Sequence, residues 1–156
     1  MKNIIKALFL ITIIITSCNN NNLDYHTFPN NRWKESEKIK FTREVNDSTK
    51  DYSLNIDLRH TTSYQYNNIR MFLHHHYKNK KINTDTIEIK LAEINSGKWI
   101  GLGKNDIKEH TYFFEKKKYK KGSHVFELEL AMREVDNLQI EELENIRSII
   151  INLKEE

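Results

Sequence analysis

The sequence predicts an all-β fold, a single antiparallel β-sandwich of about seven short strands. Apolar and polar residues alternate along most of the chain, which is the period of a half-buried strand and not of a helix. The 156 residues, 38% of them hydrophobic, fit one domain. The pattern lacks the long helical segments that connect parallel strands, which disfavours a nucleotide-binding α/β fold.

Residues 1–17 have the order of a bacterial secretory signal. Lys2 and Lys6 precede an apolar run, residues 7–15, and small residues close that run. The run is much shorter than the roughly 20 residues that a membrane-spanning helix requires. We therefore predict a signal peptide and no spanning anchor.

The cysteine at the end of this signal indicates a lipid anchor. Ile15-Thr16-Ser17-Cys18 resembles the bacterial lipobox, in which the cysteine thiol receives a diacylglycerol. The alternative is a free cysteine after an ordinary signal. Cys18 is the only cysteine of the chain, so no internal disulfide can form. We predict a lipoprotein signal peptide over 1–17, a lipidated N-terminus and tether over 18–35, and the β-sandwich domain over 36–156.

Seven segments carry the strand pattern. They are residues 38–45, 52–59, 69–77, 84–91, 111–118, 125–132 and 146–153. The segment 52–59 has the clearest alternation, and a turn over 46–51 separates it from the first strand. A turn at Asn79-Lys80-Lys81 predicts that the third and fourth strands are antiparallel neighbours. Only residues 138–145 favour a helix, which is short enough to be a connection.

The overall charge excludes one class of partner. With 25 Lys and Arg against 22 Asp and Glu, the net charge is +3. This is too mild for a nucleic-acid-binding protein, which normally carries a strongly basic face. We therefore expect no nucleic-acid partner.

Two segments suggest metal binding, each with a simpler interpretation. In His74-His75-His76, strand alternation would let His74 and His76 converge, and two imidazoles do not make a zinc site. Surface or edge-strand histidines are the preferred interpretation. Asn46, Asp47, Ser48 and Asp51 place oxygen ligands in one turn, without the spacing of an EF-hand. We expect no metal and no cofactor.

Three of the four glycines lie in one loop, Gly97-Lys98-Trp99-Ile100-Gly101-Leu102-Gly103. A phosphate loop would continue with Lys followed by Ser or Thr and then a helix, whereas Lys104-Asn105 follows here. Two interpretations remain open: tight turns that need positive φ, with Trp99 buried, or a partner-facing loop with Trp99 as a recognition residue.

The sequence offers no setting for catalysis. A Gly-x-Ser-x-Gly elbow is absent, and the one cysteine is assigned to lipid. Glu127 and Glu129 share one strand face, but this spacing is also typical of a solvent-facing surface. We therefore predict no catalytic residues and no enzymatic activity.

Several motifs occur together in one order along the chain. They are Cys18 in its lipobox, Tyr25 with Phe28-Pro29 and Trp33, Tyr52-Ser53-Leu54-Asn55-Ile56-Asp57-Leu58-Arg59, Thr84-Asp85-Thr86, the glycine loop followed by Asp106-Ile107-Lys108-Glu109, and Ala131-Met132-Arg133. With these motifs the whole chain resembles the GldH family, gliding-motility lipoproteins of Bacteroidota. It departs from the family at the triple histidine and at the lysine-rich residues 116–121.

The resemblance implies a non-enzymatic component of the gliding motility and type IX secretion machinery. Its expected partners are the membrane, through lipid on Cys18, and other gliding or secretion lipoproteins or envelope proteins. Asparagines and no acidic run follow Cys18, which favours the outer membrane and a periplasm-facing domain. Trp99, Gly101, Gly103 and Arg133 are the candidate partner contacts.

Two other functions remain as alternatives. A periplasmic carbohydrate-binding or glycan-sensing module would use Trp33, Trp99 and some of the seven tyrosines on an exposed face. A hydrolase would need convergent titratable groups, which the sequence does not show.

Overall fold

The computed structural model describes residues 24–134 and 138–156 and confirms the all-β prediction. The predicted signal peptide, residues 1–17, and Cys18 lie outside the described residues. The elements are β1 (His26–Thr27), a 3-10 turn (Pro29–Asn31), β2 (Arg32–Lys34), β3 (Ile39–Val45), β4 (Tyr52–Thr61), β5 (Asn68–Tyr77), β6 (Lys80–Lys90), β7 (Ile107–Lys117), β8 (Gly122–Leu130), β9 (Glu142–Glu144) and β10 (Ile146–Glu155). Within this part of the chain, no helix is long and apolar enough to cross a membrane.

The seven long strands and the two-residue strand β1 form two four-stranded sheets. The first sheet has the order β1-β10-β4-β7, and the second has the order β3-β8-β5-β6. The short strands β2 and β9 form a separate two-stranded ribbon. All pairings are antiparallel. The edge strands β6 and β7 are consecutive in the chain, so the segment between them runs from one sheet to the other.

The predicted turn between the third and fourth strands is real but lies slightly earlier. Lys78 and Asn79 both have positive φ, which is the geometry of a two-residue hairpin turn. β6 therefore begins at Lys80, ahead of its predicted start at residue 84. β7 also begins earlier than predicted, at Ile107 and not at residue 111.

The core lies between the apolar faces of the two sheets. On β4 the residues Leu54, Ile56 and Leu58 are fully buried, and the polar residues between them, Asn55 and Asp57, are only half-buried. β5 and β8 contribute similar apolar faces. This is the alternation on which the strand prediction was based, and it places one hydrophobic face of each sheet in contact with the other.

The N-terminal segment completes this core. Phe28 and Trp33, which the predicted boundaries place in the tether, are both buried. Their rings stack with centroids 5.1 Å apart, and Trp33 Nε1 donates a hydrogen bond to the Glu37 carbonyl at 3.0 Å. The folded part of the chain therefore includes residues ahead of position 36.

The predicted helix over 138–145 is wrong. Residues 142–144 form β9, in which Leu143 lies opposite Trp33 of β2 and is buried. The flanking Glu142 and Glu144 both form ion pairs with Arg32, at 2.6 and 2.7 Å. A segment this short gains little from helix formation alone, so pairing with β2 decides its conformation.

The strand registers define two ends of the sandwich. At the lysine end, Tyr52 lies opposite both Lys117 and Glu155, and the β5–β6 turn and the β7–β8 connection are found there. At the opposite end, called the strap end after residues 91–106, which connect β6 to β7 there, β4 and β6 end and β7 begins.

Candidate functional site

Residues 91–106, called the strap here, close the side of the sandwich between the edge strands β6 and β7. The Leu91 and Ala92 amides donate hydrogen bonds to the Asn67 carbonyl, directly ahead of β5, at 2.8 and 3.1 Å. The Ile100 amide donates to the Leu91 carbonyl at 2.9 Å, directly after β6. Leu102 and Glu109 exchange two backbone hydrogen bonds, at 2.9 and 2.7 Å, at the start of β7. The strap is therefore attached to both sheets.

Trp99 is a packing residue at the base of the strap. Its ring is half-buried, with its centroid 4.6 Å from that of His60 and 6.5 Å from that of Tyr64. The apolar side chains that the strap presents to solvent are Ile100, 55% exposed, and Leu102, 82% exposed. Of the two interpretations of this loop, the indole ring fits the architectural one, and the neighbouring aliphatic residues are free for contacts.

Two strap glycines are required by close backbone approach. A Cβ on Gly101 would lie 2.5 Å from His110 Nε2 and 2.6 Å from the Glu109 carbonyl oxygen. A Cβ on Gly103, which has φ +148°, would overlap the Ile107 carbonyl oxygen. These glycines let the strap lie directly on β7.

The substitution Gly103→Ala is expected to detach the strap locally. The positive φ and the overlap with Ile107 together should cost about 2–4 kcal/mol of local stability. Hydrogen exchange at the Leu102 and Glu109 amides should become at least tenfold faster. Gly97→Asn is the control, because a Cβ at Gly97 meets open space and asparagine tolerates its φ of +66°. Unchanged exchange in Gly103→Ala would contradict the close-approach role.

A groove of about 850 Å³ lies beside the strap, between β6 and β7. Its lining is Glu88, Ile89, Lys90, Ile100, Gly101, Leu102, Gly103, Glu109, His110, Thr111 and Tyr112. The lining thus combines aliphatic, aromatic and charged side chains.

A buried histidine pair supports the strap from below. His60 Nδ1–H donates to the Thr61 carbonyl at 2.7 Å, so its Nε2 accepts a hydrogen bond from His110 Nε2–H at 3.0 Å. Burial lowers the pKa of His60, and burial together with the neighbouring His60 lowers the pKa of His110 to about 4. Both rings are therefore neutral at pH 7, and the pair is structural.

A second histidine pair lies in the core at the lysine end. His124 Nε2–H donates to the Lys120 carbonyl at 2.7 Å, and its Nδ1 accepts a hydrogen bond from His75 at 2.8 Å. The His75 ring stacks on Phe126 with centroids 4.5 Å apart. Burial and the neighbouring His124 lower the pKa of His75 to about 4. The middle histidine of the triple run is thus a core residue.

β5 pairs with β8 in unbroken register from His74 to His76, so the two outer histidines share a face as alternation predicts, and the extra residue of the nearby β-bulge is Ile82 on β6. His76 is nevertheless not part of the cluster that His74 joins. His74 lies with Glu127 and Glu129 on the outer face of the second sheet, and their ligand-type atoms are within 4.8 Å of one another. Glu129 accepts hydrogen bonds from Lys38 at 2.7 Å and from His74 at 2.9 Å, which lower its pKa.

Lys40 lies 3.2 Å from Glu127, the other carboxylate of this group. Each carboxylate is thus already matched with a lysine. We interpret the group as an ion-pair cluster and not as a metal site.

The other candidate metal site, the turn over 46–51, is an ordinary capped turn. Asp47 Oδ1 accepts hydrogen bonds from the Thr49 amide and hydroxyl, at 2.9 and 2.7 Å.

Three of the four predicted contact residues come together, since Trp99, Gly101 and Gly103 all belong to the strap. Arg133 is exposed and lies on a different loop at the same end, where it forms a β-bridge with Gln139. The sequence pattern missed the histidine pairs, because their members are separated by 50 and 49 residues and share no motif.

Comparison with known proteins relates the chain to one family. The GldH lipoprotein family model matches residues 21–152. The gliding motility lipoprotein GldH homolog of Christiangramia forsetii is 29% identical over 148 residues, which cover 91% of this chain and 90% of the relative. Gliding motility lipoprotein GldH of Flavobacterium johnsoniae is 28% identical over 144 residues, with the same coverage. No solved structure matches the chain.

Proposed function

Since the chain belongs to the GldH lipoprotein family, we propose that it is a non-enzymatic, outer-membrane-anchored component of the gliding motility and type IX secretion machinery. The observation that carries this proposal is the match over nearly the whole chain to relatives named gliding motility lipoproteins. The family name describes a lipoprotein and no catalytic activity. The anchor would be lipid on Cys18, with the β-sandwich facing the periplasm.

The strap is the surface we assign to partner binding. Ile100 and Leu102 are exposed beside a groove of about 850 Å³, and the close approach of Gly101 and Gly103 to the β7 backbone holds this part of the strap in place. Exposed aliphatic side chains on a rigid loop are favourable contacts for another protein. Arg133 adds a cationic group at the same end of the sandwich. We propose another gliding or secretion envelope protein as the partner.

The glycan-binding alternative has less support from the geometry. Trp33 is buried in the core and Trp99 packs against His60, so neither offers an open stacking platform for a sugar ring.

Affinity purification of the tagged protein from cross-linked, detergent-solubilised envelopes tests the proposal. We expect gliding or secretion components to co-purify with the wild-type protein. The double variant Ile100→Ser/Leu102→Ser should reduce their recovery roughly tenfold, because it removes the apolar contacts of the strap. Cys18→Ala should also reduce recovery, because the lipid no longer holds the protein near membrane partners.

The control is Ile82→Ser. Ile82 is as exposed as Ile100, but it lies near the start of β6, away from the strap. It should leave recovery unchanged. Purification of the lipidated wild-type protein alone would contradict the machinery role, and equal losses in the control and the strap variant would contradict the assignment of the strap.

A further inference from the structure

Lysines crowd one end of the sandwich. They lie in the β5–β6 turn and in and beside the β7–β8 connection: Lys78, Lys80, Lys81, Lys116, Lys117, Lys118, Lys120 and Lys121. All eight are exposed. Lys116 pairs with Glu156 at 3.4 Å and Lys117 with Glu115 at 2.7 Å. The other six form no ion pair with any residue that the structure describes. The eight lysines outnumber the acidic residues of the same end, so this end has a positive excess although the net charge of the chain is only +3; these acidic residues are Glu44, Asp47, Asp51, Glu115, Glu155 and Glu156.

Tyr77 joins the two lysine-bearing segments into one surface. Its hydroxyl donates a hydrogen bond to the Lys121 carbonyl at 3.0 Å. The ammonium groups of Lys78 and Lys120 lie 5.4 and 5.9 Å from its ring centroid. The buried ring of His124 donates to the Lys120 carbonyl at 2.7 Å, so the connection is also tied to the core. The lysines are therefore presented by an ordered backbone.

The direction of β1 relates this surface to the predicted lipid. β1 runs antiparallel to β10, with His26 opposite Ile149, so the chain preceding β1 is directed toward the lysine end. Arg43 shows that Asp24 lies level with Ile151 of β10. Its Nε donates a hydrogen bond to the Ile151 carbonyl at 2.7 Å, and its Nη1 lies 3.6 Å from the Asp24 carboxylate.

The remaining chain is long enough to reach that end. From the level of Ile151, β10 continues to Glu155, a distance of about 13 Å at the rise of a strand. The segment from Asp24 back to Cys18 spans at most about 20 Å when fully extended. A lipid on Cys18 can therefore enter a membrane that lies against the lysine end. A membrane at the strap end would require the chain to reverse its direction.

We propose that the lysine end is a membrane-docking surface that binds the anionic phospholipid headgroups of the leaflet holding the Cys18 lipid. This inference rests on the lipid anchor of the proposed function. The anchor keeps the lysines within a Debye length, about 8 Å at physiological salt, of the headgroups, where their attraction is effective. Docking in this orientation directs the strap, with Ile100 and Leu102, away from the membrane and toward partners.

Lysine labelling on vesicles tests the orientation. The full-length lipidated protein would be reconstituted into vesicles of phosphatidylcholine alone or with about a quarter phosphatidylglycerol, and treated with an amine-reactive reagent. Mass spectrometry then gives the labelling rate of each lysine. We expect Lys118, Lys120 and Lys121 to react roughly fivefold more slowly on the anionic vesicles, and Lys98 and Lys104 on the strap to react equally on both. About 0.5 M NaCl should remove the difference by screening.

Two matched variants complete the test. Lys118→Gln/Lys120→Gln/Lys121→Gln should abolish the protection of the remaining lysines at that end. Lys90→Gln/Lys98→Gln/Lys104→Gln removes the same charge near the strap end and should leave the protection intact. All six positions are exposed, so both variants should fold.

Equal labelling of the lysine end on both kinds of vesicle, or protection of the strap lysines instead, would overturn the docking proposal. If the wild-type protein still co-purifies with envelope partners in that case, the proposed function is retained and only the assignment of the docking surface is rejected. A purified chain without lipid on Cys18 would overturn both proposals.

Discussion

Replacing Trp33 with alanine is expected to lower the free energy of unfolding by about 3–5 kcal/mol, as for other fully buried aromatic side chains. Trp33 is 0% exposed, stacks on Phe28 and donates a hydrogen bond to the Glu37 carbonyl. The alanine variant leaves a large cavity beneath the β2–β9 ribbon and an unmatched carbonyl. Urea denaturation followed by far-UV circular dichroism measures the change.

Phe113→Ala is the matched control, because it also truncates an aromatic side chain, one that is 57% exposed on β7. Its effect should stay within about 0.5 kcal/mol. If Trp33→Ala had as small an effect, residues 26–34 would act as a tether and not as part of the core.

Lowering the pH from 7 to 4 is expected to destabilise the domain through its two histidine pairs. In the folded protein the pKa values of His75 and His110 are about 4, whereas an unfolded histidine has a pKa near 6.5. Between these values the unfolded chain binds more protons than the folded one, so stability falls as the pH falls. The contribution is fully present above about pH 6.5 and lost by about pH 4, and it amounts to about 2–3 kcal/mol for each pair.

Urea denaturation at half-unit pH intervals measures this dependence. In His110→Gln the slope of stability against pH should decrease over that range, because one buried titrating ring is removed. His26→Gln is the control, since His26 lies on β1 and belongs to neither pair. An unchanged slope in His110→Gln would show that other groups, such as carboxylates, determine the acid sensitivity.

The sequence predicted most of the fold because strand formation leaves a local pattern. In β4, alternation of apolar and polar side chains follows directly from the pleat, and the structure buries the predicted face. The segment over 138–145 shows the limit of such patterns. Its apolar residues fit a helical period as well as a strand period. Pairing with β2 determines that the segment is a strand, and β2 is distant in the chain: Arg32 and Glu142 are 110 residues apart.

The candidate site was predicted only in part, for the same reason. The cluster of glycines marked residues 97–103 as unusual, because glycine is needed where two backbones approach closely. Whether Trp99 is buried or exposed depended on His60 and Tyr64, which belong to another part of the chain. Sequence alone therefore located the loop but not the side chains that it exposes.

The sequence by itself determined the long strands and the motifs that carry the family resemblance, and it predicts the signal and lipobox ending at Cys18, because all of these are encoded by neighbouring residues. What only the tertiary structure decided are the features made by distant residues: the burial of Trp33, the two histidine pairs and the positive surface around Tyr77. The physical reason is that alternation and cleavage signals act over a few residues, whereas desolvation, ring packing and charge clustering depend on which strands become neighbours.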